Sequence, residues 1–468
     1  MGRLQIKDYT MKSTQRHLIL SSIIIACGIA YSQEPIDEAA LFSDTSMIVS
    51  DTQLVDNALL ISEKPAEKRV GFSGEVTSAG VAMLRQNLFE GKKGDNTTLA
   101  AFITGNLFLD ARLPMDMKVF SNIETQYLSF TQKPEFWLRE LFFDVNIKRR
   151  VYFRTGKQVL QWGRCNFWNP TDLINIEKKS FIQKIGYREG SYGLKMHVPF
   201  GAKYNLYGFL STNNIYTVDS IAGAAKAEAL FGRTEMALSL YGRRGFIPVP
   251  GFDISTRIGD VLITGEVSAN NSKNYFTLTE SADTASDTLV LGIDKKGNNY
   301  TPRACIGLSY IFNAFNIDDR ISVSAEFYYN HGGYDENIFA DDNTYKYKIP
   351  VKTIAPNGME TPVWTGDKKT FFMNNYFMNL YDQHNYSKYY LALFTTINKF
   401  ITSDMTLYFN GMANLQQECG IITGYLMYRN MHNLSLGFMV NGFVGKENTE
   451  YTYSKDVVVI RLTAGIAF

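Results

Sequence analysis

An all-β fold, a transmembrane antiparallel β-barrel of about 18 strands with a short N-terminal periplasmic segment, is what this sequence predicts. From residue 71 onward, apolar and polar residues alternate in segments of about ten residues bounded by turn signals. The connections between these segments are alternately short and long. Aromatic residues reach 14% and charged residues only 20%, while mean hydropathy is -0.15. After the first 33 residues no apolar run approaches the ~18 residues of a spanning helix. A barrel that alternates a lipid face with a wet face accounts for this hydropathy, and its aromatic girdles account for the Tyr and Phe.

The first element is a leader. Lys12 and Arg16 precede the apolar stretch 18–30, and Ala30-Tyr31-Ser32 places small residues before a cut at Gln33. Residues 1–32 therefore read as a signal peptide, with Met11 an alternative initiator. A competing reading takes Ile24-Ile25-Ala26-Cys27 as a lipoprotein signal acylated at Cys27. Arg3, Lys7, Lys12 and Arg16 against Asp8 give the leader a surplus of three within the total of +1, so the remainder carries −2. That balance offers nothing to nucleic acid. Without Cys27, Cys165, Cys305 and Cys419 remain, enough for one bridge and a spare thiol.

Residues 33–69 are acidic and poor in aromatics, which predicts a flexible periplasmic segment with one short helix near 52–62. The barrel follows over 70–468. Strands are predicted at 71–86, 98–112, 116–129, 135–147, 150–163, 187–198, 202–211, 221–230, 232–243, 251–258, 260–269, 301–312, 320–331, 386–399, 403–413, 420–429, 432–444 and 456–468. The last shows the logic best. Val458, Ile460, Leu462, Ala464, Ile466 and Phe468 share one face, and Arg461, Thr463 and Gly465 share the other. A lipid-facing charge near midspan costs ~2–4 kcal/mol, so Arg461 must point inward. Phe468 ends the chain as a C-terminal assembly signal for barrel-assembly machinery. Turns after even strands are short, and the long connections, 164–186, 270–300 and 332–385, all follow odd strands. A periplasmic N-terminus and long external loops satisfy that order, whereas a sandwich or propeller gives no reason for it.

The same parity lists a lumen face: Asp110, Arg112, Lys118, Glu124, Glu140, Asp144, Lys195, Lys226, Glu228, Arg233, Glu235, Asp253, Arg257, Glu266, Glu326, Lys388 and Arg461. Eight are basic and nine acidic. Such a mixture reads either as a wall of ion pairs or as a transverse field that orients a polar solute.

One segment stands apart. Arg154-Thr155-Gly156-Lys157-Gln158 leads to Trp162-Gly163-Arg164 and then Asn169-Pro170-Thr171-Asp172. Trp162 suits the outer aromatic belt at a strand end. Asn169 suits an N-cap and Pro170 a first helical position, so a helix over 171–186 could fold inward as a constriction loop marked by Asn169, Pro170 and Asp172. Parity is ambiguous here: Arg154 and Gln158 share one face and Lys157 the other, unless a bulge intervenes. The run R-x-G-K-Q-x-x-x-W-G-R followed by N-P-x-D resembles the signature of alginate-export-type outer-membrane barrels over about 20 residues. That resemblance implies an 18-stranded passive, substrate-selective pore, with Arg154, Lys157, Gln158, Trp162 and Arg164 on or near its wall. A pore for polyanions should carry an excess of Lys and Arg, which the mixed lumen list lacks.

Enzyme frames are absent from the sequence. His197, His331, His384 and His432 lie apart, with no HExxH or GxSxG. The expectation is a non-enzymatic, outer-membrane porin or substrate-selective channel for passive diffusion of a small polar solute, in contact with outer-membrane lipids and without cofactor or metal. A barrel presenting its long loops as a surface adhesin or receptor is the alternative.

Overall fold

Alternation in sequence becomes alternation in exposure along each strand. The computed structural model describes residues 69–91, 96–174, 189–213, 221–272, 276–283, 288–295, 297–335, 337, 339, 347–349, 364–366, 384–429 and 433–468. The signal-peptide and periplasmic-segment readings therefore lie outside the described residues, as do 175–186, His432 and the turn at 430–432. The strands are β1 (Arg69–Arg85), β2 (Thr97–Leu113), β3 (Met117–Leu128), β4 (Pro134–Ile147), β5 (Val151–Gln158) and β6 (Ser191–Phe200). Next come β7 (Tyr204–Ser211), β8 (Ala222–Phe231), β9 (Thr234–Arg243), β10 (Val249–Ile258), β11 (Val261–Asn271), β12 (Phe276–Asp283) and β13 (Thr288–Lys295). Then follow β14 (Tyr300–Ala314), β15 (Ile317–Asn330), β16 (Tyr347–Ile349), β17 (Trp364–Gly366) and β18 (Tyr389–Asn398). The chain ends with β19 (Met405–Asn414), β20 (Cys419–Arg429), β21 (Leu434–Gly445) and β22 (Asp456–Ala467). One four-residue helix, α1 (Gln86–Phe89), caps the first hairpin.

Eighteen of these strands form one antiparallel sheet in which each pairs with its sequential neighbour, and β1 pairs with β22 to close the ring. Closure removes both sheet edges, the condition for strands to survive in hydrocarbon. The seam is finished by the C-terminus: Phe468 N–H donates to Gly74 O at 2.8 Å and Gly74 N–H donates to Phe468 O at 2.9 Å. A Cβ on Gly74 would meet the Phe468 ring at 2.6 Å, so the ring lies where a side chain would otherwise stand.

The outer face is that of a barrel seated in lipid. Leu107, Ile123, Leu141, Leu206, Leu238, Ile306, Leu391 and Leu462 are exposed along its middle. Exposed Phe72, Phe200, Tyr204, Phe231, Phe312 and Phe315 lie toward the short-turn end, and Tyr127, Phe136, Tyr192, Tyr300 and Tyr389 toward the long-loop end. An aliphatic belt between two aromatic girdles is the pattern lipid demands.

The strand reading corresponds to the structure within a few residues nearly throughout. Two differences have physical causes. The stretch expected to be a strand to residue 163 stops at Gln158, because Val159 N–H leaves the ladder for the Glu140 carboxylate at 2.8 Å. The long connections 270–300 and 332–385 also contain structure, since β12, β13, β16 and β17 form a separate four-stranded sheet. Barrel parity is blind to strands that never meet the barrel wall.

Candidate functional site

Beyond Gln158 the chain turns into the lumen. Gly156 permits the bend: its φ is +121°, and an added Cβ would stand 2.2 Å from Leu141 O. Residues 159–174 then run inside the barrel, and buried carboxylates on the wall hold them there. Glu266, on β11, is 3% exposed. One of its oxygens accepts Arg164 N–H at 2.5 Å, Cys165 N–H at 2.6 Å and Asn169 Nδ2 at 2.8 Å. Its other oxygen accepts Thr171 Oγ1 at 2.8 Å and Thr171 N–H at 3.2 Å. Gly163 makes room, because a Cβ there would lie 2.5 Å from Glu266 Oε1.

Glu326, on β15, performs the same task one step along. It accepts the main-chain N–H groups of Asn166, Phe167 (2.9 Å) and Trp168 (3.2 Å). Charge-assisted bonds to consecutive amides satisfy donors that a turn buried in the lumen would otherwise leave bare. Trp168 stacks on Tyr328 at 5.2 Å between centroids and 6° between planes, and its Nε1 donates to His384 O at 2.9 Å.

Arg164 completes the anchor with its side chain. Its guanidinium donates to Asp253 at 2.5 Å, to Glu228 at 3.2 Å and to Glu235. Lys226 Nζ donates to Trp162 O at 2.6 Å and stands 3.0 Å from Glu228 and 3.2 Å from Asp253. Five charges of both signs thus interlock under the segment. The burial of such charges is tolerable only when they are paired and hydrogen-bonded.

Below this shelf a cavity of about 750 Å³ faces the short-turn end. Leu160, Gln161, Trp162 and Arg164 contribute to its lining from the inward segment. Its walls carry Arg112, Lys118, Arg149, Arg154, Lys195, Lys203 and Lys226, against Asp116, Asp144, Glu228 and Glu235. With Arg164 included, eight basic groups meet four acidic ones. Several are paired: Arg154 with Asp144 at 2.6 Å, Arg149 with Asp116 at 2.9 Å, and Lys118 with Asp110 at 3.0 Å. Arg112 is 3.7 Å from the same Asp110. Flat aromatic surface lies beside them, with Tyr207 stacked on His197 at 4.5 Å and Lys195 5.7 Å from the Tyr207 ring.

The remaining residues named from parity separate clearly. Glu124 is fully buried and accepts two 2.9 Å bonds from Arg139. Arg461 is 3% exposed, its guanidinium 4.9 Å from the Phe102 ring. Gln158 is buried and donates to Arg154 O and Gly193 O. Lys157 falls in register with Leu141 and Tyr192, both exposed on the outer face, and bonds Glu189 at 2.7 Å, so it does not join the lumen cluster. Arg233 sits in the two-residue turn between β8 and β9, and Arg257 is exposed near the short-turn end of β10; strand parity does not extend to a turn. Lys388 precedes β18 and pairs with Asp335 at 2.5 Å.

Trp162 is the clearest correction. It is 4% exposed inside the barrel, not in the outer belt, because the strand that would have carried it outward ends four residues earlier. Asn169 and Pro170 also serve differently from a helix start. Asn169 bonds Cys165 O at 2.7 Å, Pro170 O accepts Ser268 Oγ at 2.7 Å, and Asp172 N–H closes a turn on Asn169 O at 3.0 Å.

Sequence reasoning missed Arg139 and Glu450. A register shift between Asn122 and Ile123 lets both Arg139 and Glu140 reach inward partners, which alternation alone cannot show. Glu450, in the β21–β22 connection, accepts His384 N–H, Tyr390 OH and Asn414 Nδ2 at 2.9, 2.9 and 2.7 Å. Nothing in a loop sequence marks it. His384 lies beside Tyr451 OH at 2.9 Å, and burial pushes its pKa down to about 3, so it is neutral at ordinary pH. Among the described residues, His197, His331 and His384 are hydrogen-bonded to the side chains of Asn205, Tyr329 and Tyr451.

No protein-family model matches this chain, and no curated protein matches it. Solved structures resemble it in shape at low identity. A BenF-like porin from Pseudomonas fluorescens Pf-5 aligns at 9% identity over 85% of this chain and 98% of its own, with a TM-score of 0.48. Pseudomonas aeruginosa OccK2 (OpdF), solved in complex with glucuronate, aligns at 9% over 85% and 98%, with a TM-score of 0.46. Pseudomonas aeruginosa OprD aligns at 7% over 85% and 95%, with a TM-score of 0.45. The barrel itself rests on the strand pairing: eighteen antiparallel strands closed between β1 and β22.

Proposed function

We propose that this barrel is a channel for passive diffusion of small polar solutes, with a preference for anions. The observation that carries the reading is the basic cavity beneath an inward segment pinned to the wall. The acidic groups of the upper lumen are occupied by main-chain amides and Arg164, which leaves the basic excess facing the cavity. Like-signed walls of low dielectric focus a field and raise the local concentration of counter-ions. The stacked His197 and Tyr207 rings add a flat apolar face for a solute with a planar or ring skeleton.

The alginate-export resemblance belongs to this reading only in part. The residues of its motif act here chiefly as a docking device: Gly156 bends, Gly163 admits Glu266, and Arg164 and Asn169 bond the wall. A polyanionic chain as cargo would use the basic cavity, and a small carboxylate would use it equally well. Reconstitution in planar bilayers under a salt gradient tests the proposal. A stable conductance with a reversal potential on the anion side supports it. A silent barrel overturns the channel and favours a scaffold acting through its external loops.

A further inference from the structure

Two of the chain's four cysteines, 140 positions apart in sequence, meet where the inward segment touches the wall. Cys165 belongs to that segment and Cys305 to the inner face of β14, with exposures of 1% and 4%. Their sulfurs and a carboxylate oxygen of Glu326 lie within 4.8 Å of one another, and Cys165 Sγ is 3.8 Å from Cys305 O. Two sulfurs beside a carboxylate raise a metal site first. Glu326, however, already spends both oxygens on the amides of Asn166, Phe167 and Trp168. A cation would have to displace the bonds that hold the segment in place. Two thiols so placed, in a chain that reaches its membrane through an oxidising compartment, have a simpler fate.

We propose that Cys165 and Cys305 are joined as a disulfide in the exported protein, a covalent tether between the inward segment and β14. The sulfurs, within 4.8 Å of each other, must close to the ~2.05 Å of an S–S bond by rotation about the two Cα–Cβ bonds. The reaction removes two protons and two electrons from the two thiols as the S–S bond forms. The electrons reduce the disulfide of a periplasmic thiol–disulfide oxidoreductase, and that dithiol takes up the protons. Exchange proceeds through a thiolate. In the docked segment the hydrogen bond with Cys305 lowers the Cys165 pKa, but burial and the neighbouring carboxylates Glu266 and Glu326 raise it further, to a net value above the ordinary one. Once formed, the bond lies between two buried residues, and that burial shields it from reductant. This tether stands independently of what the barrel transports.

Thiol counting on protein extracted from membranes, acid-quenched, denatured with chelator and alkylated, tests it. Two fewer alkylated thiols are expected without reductant than after reduction, and the peptides bearing Cys165 and Cys305 are expected to run as one linked species. Cys165→Ser or Cys305→Ser each abolishes the difference. Equal counts with and without reductant overturn the proposal, as does a link that runs through Cys419. Release of a soft metal ion by the chelator with all thiols alkylated also overturns it, in favour of a metal site.

Discussion

The upper and lower halves of the lumen use their charges in opposite ways. In the upper half, Asp253, Glu266 and Glu326 are buried and committed to the inward segment, accepting its amides and the Arg164 guanidinium. In the lower half, Arg112, Lys195 and Lys203 line open space, with Arg154 and Lys118 held at the wall by Asp144 and Asp110. A lumen that is balanced as a list of residues is thus polarised along its axis. Carboxylates hold the inward segment, and ammonium and guanidinium groups line the cavity beneath it. The lesson is that charge counts predict selectivity only after the groups consumed by the protein's own backbone are removed.

The largest way to break this contrast is at the upper half. Glu266→Ala removes the acceptor of five donors, three main-chain amides and two side chains, and is expected to cost on the order of 5 kcal/mol of docking. The segment should become sensitive to protease within 159–174, and bilayer conductance should rise and fluctuate. Gly163→Ala, which drives a Cβ to within 2.5 Å of Glu266 Oε1, should give the same result by a different route. Unchanged proteolysis in both variants would remove the carboxylate shelf as the anchor.

Arg164→Ala comes next, at about 3–5 kcal/mol, because it strands Asp253, Glu228 and Glu235 around the single ammonium of Lys226. The reversal potential should then move toward cations, since Glu228 and Glu235 on the cavity wall lose the guanidinium that neutralises them. A potential that stays on the anion side would show that the two halves do not communicate.

A pH series sharpens the comparison at the long-loop end. Docked His384 has a pKa of about 3, against about 6.5 when released. Between those values the released state binds a proton that the docked state lacks, so docking is at full strength above about pH 6.5. It weakens by about 1.4 kcal/mol per pH unit below that value. Proteolysis around 384–388 should accelerate from pH 7 to 5, and His384→Phe should flatten the profile.

The smallest expected change in stability comes with a clear change in selectivity. Lys195→Glu and Lys203→Glu together should shift the reversal potential toward cations while leaving thermal unfolding within ~0.5 kcal/mol of the parent, as for substitutions outside the packed core. An unaltered potential would deny the lower cavity any part in selecting ions.

Strand parity made much of this legible. Ile460, Leu462 and Ile466 around Arg461 announce their faces, because lipid penalises a charge and water penalises little else. Parity failed at Arg139, where a bulge lets two successive residues reach inward, and at Trp162, where one carboxylate ended a strand early. It was silent on Glu450, whose three partners come from three separate stretches of chain.

By itself the sequence determined the barrel, its strand order, its short and long ends and most inward-facing charges, since each follows from a local period of two and from turn length. Only the tertiary structure decided which charges are available to a solute. That depends on the path of residues 159–174 through the lumen, and the path is set by Glu140, Glu266 and Glu326, the last of them more than 150 positions away along the chain. Distant partners leave no periodic trace, and a carboxylate bound to an amide reads in sequence just like a carboxylate facing water.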